Sequence, residues 1–319
     1  MNAKTASPTV GNADKRLPAS DIGPRRRATL VVNARSREGQ RHFDRACAQL
    51  SDAGFILDAA HAVKDPRQID TIVCEAIAGG ARLVAVGGGD GTLSSVSRYF
   101  IGKPSVLGLL PLGTANCFAR SLGIPVDLAA AVNVLVTGHI ANIDLGRIGD
   151  RYFTNAAAIG LPALIAETVP HWLKAVLGRV GYLGWATWCL ARFRPFECTL
   201  IDGNGTRSFH ALEVRINNGP FLGALEVSPE ASVESERLVV QIVTGRSVFP
   251  LIRTWTLSEL GRPGGDAIVS IRVARARIET VPSMHVSIDG EVLATTPIDL
   301  SVARHVLKLI VPADRTDLK

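Results

Sequence analysis

LVAVGGGDGTLSSVSRY, residues 83 to 99, is the stretch whose reading decides the fold. An apolar run from Leu83 to Val86 meets three consecutive glycines, then Asp90, Gly91 and Thr92, and continues as a helix-like segment. The pattern predicts strand, turn, helix. Three glycines in a row suit neither a strand interior nor a helix; they suit a backbone that bends sharply and lets a partner approach its N–H groups. A helix starting at Thr92 would aim its unpaired N–H groups and the positive end of its dipole at the same turn, which makes Gly88 to Thr92 a candidate phosphate site. Asp90 beside it would repel a phosphate unless Mg2+ bridges the two or the carboxylate handles a proton or hydroxyl in the reaction. No G-K-[ST] ending follows, so an ordinary P-loop is not expected. Taken alone, Gly-Asp-Gly is equally a plain turn between strand and helix.

A second loop repeats the plan. VLGLLPLGTANCFARSLGIP, residues 106 to 125, reads as an apolar strand, Gly113-Thr114-Ala115-Asn116, a short helix and a stop at Gly123-Ile124-Pro125. Two successive strands thus end in glycine loops at one sheet edge, where open α/β sheets bind ligands. Thr114 can cap its helix or touch a phosphate; Asn116 can hydrogen-bond a base or ribose, or stabilise the turn.

Outward from these loops, residues 28 to 148 alternate strand and helix: strand 28–33, a polar loop to Gly39, helix 40–52, strand 55–60, helix 66–79, strand 82–86, then both loops, helix 127–138 capped by Asp127, and strand 140–148. Such alternation implies a parallel sheet covered on both faces. From 149 to 319 the pattern turns to consecutive strands with a hairpin signal at Gly203-Asn204-Gly205, which suggests an antiparallel sandwich. Residues 1–27 lack periodicity and read as a disordered arm. One apolar stretch, 163 to 193, holds Trp172, Trp185 and Trp188. Its longest uncharged run, Val180 to Ala191, is too short to span a bilayer. It reads as a helix pair packed on the sandwich, or as a surface segment that dips into lipid.

The 319 residues, 47% hydrophobic and 20% charged, point to two globular domains. Five scattered cysteines without C-x-x-C spacing indicate reduced thiols and neither a disulfide frame nor a zinc site. No apolar h-region opens the chain, so a cytoplasmic protein without a transmembrane segment is expected. The net charge of +6 suits nucleotides or anionic head groups, with peripheral membrane association. Aromatics at 5%, with no basic stripe among them, speak against nucleic acid. Arg25-Arg26-Arg27 reads as a solvated flank before the first strand.

GGGDGT followed by PLGTANCFARSLGIP resembles the catalytic domain of the diacylglycerol kinase and sphingosine kinase superfamily, in particular the bacterial soluble lipid kinases. VVNARSREG at 31–39, NAAAIG at 155–160, INNGPFLGALEVSPEA at 216–231 and IDGE at 288–291 extend the likeness over roughly 28 to 312. The resemblance implies an NAD-kinase-like α/β domain joined to a β-sandwich domain, with a nucleotide cleft between them and a final strand that returns to the first domain. It implies ATP and Mg2+ as cofactors and a lipid alcohol as acceptor, with nucleotide contacts at Asn33, Ser36, Gly88, Gly89, Asp90, Gly91, Thr92, Ser94, Thr114 and Asn116. It also implies a base at Glu291 supported by Asp289, with Asp90 as the rival, because sphingosine kinases are credited with the aspartate of their GGDG motif. Without the resemblance, Asp289-Gly290 is an everyday hairpin turn.

Departures from the family pattern are Ala34 for a proline, Ser95 for a following Glu, Cys117 for Asp, and V-E-S-E-R-L-V-V at 233–240 for an acidic Mg2+-binding segment. Only Glu234 and Glu236 remain there as a remnant of the structural Mg2+ site, which is expected to be weakened or absent. The expected activity is transfer of the γ-phosphoryl of ATP to a lipid hydroxyl. The alternatives are an NAD kinase, which shares GGDGT, and a non-catalytic nucleotide- or lipid-binding relative. The sequence leaves the acceptor lipid, the choice of ATP or GTP and the oligomeric state open; a homodimer is compatible with it.

Overall fold

A computed structural model of the chain describes residues 17–18, 26–36, 38–168, 185, 188–189, 193–223, 225–259 and 267–314. After a two-residue strand β1 (Leu17–Pro18), the first half runs β2 (Arg27–Asn33), α1 (Gly39–Asp52), β3 (Ile56–Val63), α2 (Pro66–Ala78), β4 (Leu83–Gly88), α3 (Asp90–Phe100), β5 (Val106–Pro111), α4 (Cys117–Ser121), α5 (Leu128–Thr137) and β6 (His139–Ile148). Strands β3, β2, β4 and β5 lie parallel in that order. All of β4 and β5 is buried, as helices on both faces of a parallel sheet require, and both strands are accordingly apolar throughout. Asp65 and Asp127 cap α2 and α5, accepting hydrogen bonds from the N–H groups of Arg67 and Ala130.

The second half comprises β7 (Arg151–Phe153), β8 (Ala156–Gly160), α6 (Leu161–Thr168), β9 (Phe196–Asp202), β10 (Gly205–Asn217), β11 (Phe221–Leu222), β12 (Leu225–Glu226), β13 (Leu238–Thr244), α7 (Phe249–Glu259), β14 (Ile268–Val273), β15 (Arg275–Val281), β16 (His285–Ile288), β17 (Glu291–Thr295) and β18 (Ile298–Val311). It is antiparallel. Strand β10 turns a corner of the sandwich at an irregularity between Ala211 and Glu213: residues before it pair with β9, residues after it with β8 and β13.

Strand β18 belongs to both halves. Its first residues, Ile298 to Ser301, pair with β15; after a break between Ala303 and Leu307 it pairs with the start of β6 and meets β5 in parallel at Leu309 and Leu107. The two cores divide at the same place, Ile298 and Leu300 packing into one and Leu307, Leu309, Ile310 and Val311 into the other. One continuous sheet therefore carries the chain from the α/β half into the sandwich.

Several expectations need correction. The arm expected to be disordered contributes Leu17 and Pro18, which pair with Ile140 and His139 of β6; its other described residues, 26–27, lead into β2. Helix α3 begins at Asp90 rather than Thr92, with Gly89 as its N-cap, and Asp90 thus lies in the first turn, where a carboxylate favours the helix dipole. Two glycines that seemed unfit for a strand, Gly87 and Gly88, complete β4 and pair with Leu110 and Pro111. Of the stretch expected as a helix pair or lipid-dipping segment, most lies outside the described residues. Within it, α6 packs on β8 and β16, and Trp185 and Trp188 stack at 4.8 Å. Among the described residues no helix is long and apolar enough to cross a membrane.

Candidate active site

The glycines of the first loop are there for space. None of Gly87, Gly88, Gly89 and Gly91 has a positive φ. A Cβ on Gly87 would lie 2.8 Å from the Leu112 side chain, and one on Gly88 2.7 Å from Thr92 Cβ. A Cβ on Gly91 would meet nothing within 4 Å, because Gly91 opens onto the cleft. Thr92 folds back over the loop and its Oγ1 accepts a hydrogen bond from Asn33 Nδ2 at 2.9 Å, which joins the end of β2 to the start of α3. Ser36 lies exposed in the loop that follows β2. Ser95 turns its hydroxyl back to the Thr92 carbonyl.

The second glycine loop packs against the first, backbone to backbone. A Cβ on Gly113 would sit 2.4 Å from Gly89 Cα, so Gly113 has no room for a side chain, and one on Gly89 would press on Gly113 Cα at 3.2 Å. Asn116 holds this turn in a left-handed conformation, φ 51°. Its Oδ1 accepts from Gly113 N–H and its Nδ2 donates to Gly113 O, so the amide is spent on the turn and lies buried. Thr114 is exposed beside it. Asp90 Oδ1 accepts from Phe118 N–H at 3.0 Å, so the aspartate of the first loop tethers the helix of the second. Cys117 lies between them; burial first, then the neighbouring Asp90 charge, push its thiol up to about 11, and its sulfur accepts from Gly223 N–H at 3.0 Å.

Across the cleft stands the Asp289-Gly290 turn between β16 and β17. Both residues have positive φ, 45° and 91°, as a tight hairpin turn demands. The Asp289 carboxylate is held on every side. Oδ1 accepts from the N–H groups of Asn155 and Ala156, and Oδ2 from Thr154 N–H, Thr154 Oγ1 and Ser94 Oγ, at 2.5 to 3.1 Å. Glu291, two residues on, is exposed and faces a cleft of about 1130 Å3 that it shares with Gly91, Ser94, Ser95, Arg98 and Tyr152. Deeper along α3, Arg98 donates to Asp70 Oδ2 at 2.9 Å and to the Tyr99 hydroxyl at 2.7 Å.

Glu234 and Glu236 fall elsewhere, at a second junction between the halves. Glu236 is bound by Arg304 at 3.0 Å and by His305 Nε2 at 3.1 Å. Beside it, buried Asp144 accepts from the N–H groups of Glu236 and His305. This donor set does not fit a divalent cation: both oxygens of Asp144 and both of Glu236 are already engaged by N–H groups and cationic side chains. Among the described residues no cluster of three or more His, Cys, Asp or Glu could hold a metal.

Asn33, Thr92, both glycine loops, Ser94 and the Asp289 turn meet at one sheet edge and its facing cleft. Sequence reasoning missed the N–H groups of residues 154–156, which no side chain advertises, and Asp144, whose strand gave no motif. It quoted NAAAIG and INNG without a role. Those blocks form the seam, where Asn218 Nδ2 donates to the carbonyls of Asp144 and Thr154.

Glycine loops at the carboxyl edge of a parallel sheet, facing an acid-bearing turn across a cleft, have the parts that phosphoryl transfer to an alcohol needs: an anion cradle and a carboxylate. Comparison with known proteins agrees. The family described as diacylglycerol kinase catalytic domain matches residues 27–148, and the YegS C-terminal NAD kinase beta sandwich-like domain matches residues 155–311. A protein named "Probable lipid kinase YegS" from Salmonella arizonae is 31% identical over 89% of this chain and 96% of its own length. A "Probable lipid kinase YegS-like" protein of Klebsiella pneumoniae is 33% identical over 75% of this chain and 81% of its own. The crystal structure of a diacylglycerol kinase from Bacillus anthracis str. Sterne shares the fold, with TM-score 0.69 over 91% of this chain and 98% of that one, at 18% identity. The chain belongs to the lipid kinases built on the diacylglycerol kinase catalytic domain, and it matches their YegS branch through both halves.

Proposed function

We propose that the enzyme transfers the γ-phosphoryl of Mg2+-bound ATP to the hydroxyl of a lipid lying in the cleft, with Glu291 as the base. The observation that carries this reading is the contrast within one turn: Asp289 is fully occupied by hydrogen bonds, whereas Glu291 faces the same cleft as Gly91 and is exposed. A general base must reach its proton and have a lone pair free to take it. Asp90 is the poorer base, since one oxygen is committed to Phe118 N–H. It is the carboxylate that would hold the metal of Mg2+-ATP. When bound, that ion neutralises charge on the transferring phosphoryl group.

The N–H groups at the start of α3, whose dipole favours an anion, would hold the phosphates. Gly88, Gly89, Gly91 and Thr92 allow the close approach, with Asn33, Ser36 and Thr114 at the rim. Glu291 accepts the proton of the lipid hydroxyl as that oxygen bonds to the γ-phosphorus and the bond from the γ-phosphorus to the β-γ bridging oxygen breaks, releasing ADP. The enzyme meets its acceptor at a membrane surface as a peripheral protein, a reading supported by the exposed apolar side chains of Trp188, Phe249 and Ile252.

The test is phosphorylation with radiolabelled ATP and Mg2+ against a total lipid extract and, in parallel, NAD, for the wild type and Glu291→Gln. Label should enter a lipid and fall by about 10²–10⁴-fold in the variant while nucleotide affinity is kept. Label in NAD alone, or none despite ATP binding, would sink the reading.

A further inference from the structure

The hydrogen bond from Ser94 to Asp289 joins residues 195 apart in sequence and links the helix that follows the phosphate loop directly to the turn that carries Glu291. We propose that Ser94 is a positioning residue: through Asp289 it sets the distance between the phosphate loop and the catalytic carboxylate, and it is not a nucleotide ligand. This rests on the reading of Glu291 as base.

Ser94 lies one helical turn beyond Asp90, so it stands over the same end of α3 as Gly91. Its hydroxyl reaches Asp289 Oδ2 at 2.5 Å, within the short range of an O–H bond to a carboxylate. The other four donors to Asp289, from Thr154, Asn155 and Ala156, all belong to the seam between β7 and β8. They fix the turn to the sandwich. Ser94 alone among the five fixes it to the nucleotide-binding half. Asp289 N–H in turn donates to Ala156 O, and Glu291 pairs with Ile288 across the turn, so backbone pairing on both sides leaves the turn little freedom to redirect Glu291 by itself. The Ser94 hydroxyl is therefore the part of this clamp that relates the base to the phosphate.

The test compares full-length wild type, Ser94→Ala and Ser94→Thr in two measurements. One is steady-state lipid phosphorylation; the other is hydrogen exchange of peptides covering residues 154–156 and 289–291, which needs no substrate. Ser94→Ala should lower kcat by about 10–100-fold through misplacement of the base, with KM for ATP within about two-fold of wild type, and should speed exchange in both peptides. Ser94→Thr, which keeps the hydroxyl, should restore kcat and exchange together. A raised KM for ATP at unchanged kcat would make Ser94 a nucleotide ligand and overturn the proposal. So would unchanged kcat and exchange. A wild-type protein that labels no lipid refutes the proposed function instead, and the exchange rates then decide the Ser94 link alone.

Discussion

Two aspartates stitch the halves of this kinase together, and they do so differently. Asp289 sits at the mouth of the cleft and is held by backbone N–H groups and two hydroxyls, all neutral donors. Asp144 is buried at the other junction and has ionisable company: Glu236 and His305 each give it a backbone N–H, and the His305 imidazole stands 3.7 Å from its carboxylate. Burial raises the pKa of Asp144, an effect that those two N–H groups oppose. The first junction aims a side chain, and neutral donors give it fixed geometry. The second closes a seam, and its cationic side chains take up the oxygens of Glu236. A third, slighter contact between the halves is Cys117 with Gly223.

This contrast can be broken at the second junction first. Asp144→Ala removes the buried acceptor of the Glu236 and His305 N–H groups, at a cost of about 1–3 kcal/mol. Thermal melts should show it. A variant as stable as wild type would mean that the junction carries no weight. Adding Mg2+ without nucleotide should leave the wild-type melting temperature unchanged, since the carboxylate oxygens of Asp144 and Glu236 are all engaged by N–H groups and cationic side chains.

A smaller effect separates the junctions by pH. Burial lowers the pKa of His305, but its hydrogen bond to Glu236 and the charge of Asp144 outweigh burial and leave it raised above the ordinary 6.5. The charged imidazole is thus favoured in the fold. Its stabilisation is complete below pH 6.5 and is lost as pH rises through the raised value. The gap in melting temperature between wild type and His305→Gln should be wider at pH 6 than at pH 9. Because His305 is half-exposed, the gap corresponds to no more than about 1 kcal/mol. A gap that widened with pH would reverse the assignment.

The smallest expected effect is at Cys117. Held as a thiol by burial and by Asp90, it should stay unlabelled by iodoacetamide at pH 7.5 while exposed Cys74 reacts, as read by mass spectrometry. Rapid labelling of Cys117 would show that the contact with Gly223 opens readily.

The glycine loops and the acid turn were legible because each is a local pattern: apolar run, glycines, helix, or Asp-Gly-Glu between strands. The reason for the glycines was not. Their φ values are ordinary; a side chain at Gly88 would strike Thr92 of the same loop, and one at Gly87 or Gly113 would strike the facing loop at Leu112 or Gly89, some twenty-five residues away. The clamp on Asp289 was hidden for a related reason, since three of its five bonds come from main-chain N–H groups, which every residue except proline possesses. At Glu236 the sequence suggested a metal site weakened or absent, but it could not show what takes up the surviving acid: Arg304 and His305, some seventy residues later. Long-range pairing decides such matters, and periodicity does not report it.

Strand β18 bears on how the chain is born. The nucleotide-binding half is made first, yet its sheet and core include Leu307, Leu309, Ile310 and Val311. Domains usually fold in order as they leave the ribosome. Here the strand that fills the β5 and β6 edges of the leading half is among the last parts of the chain to be made, after almost the whole sandwich.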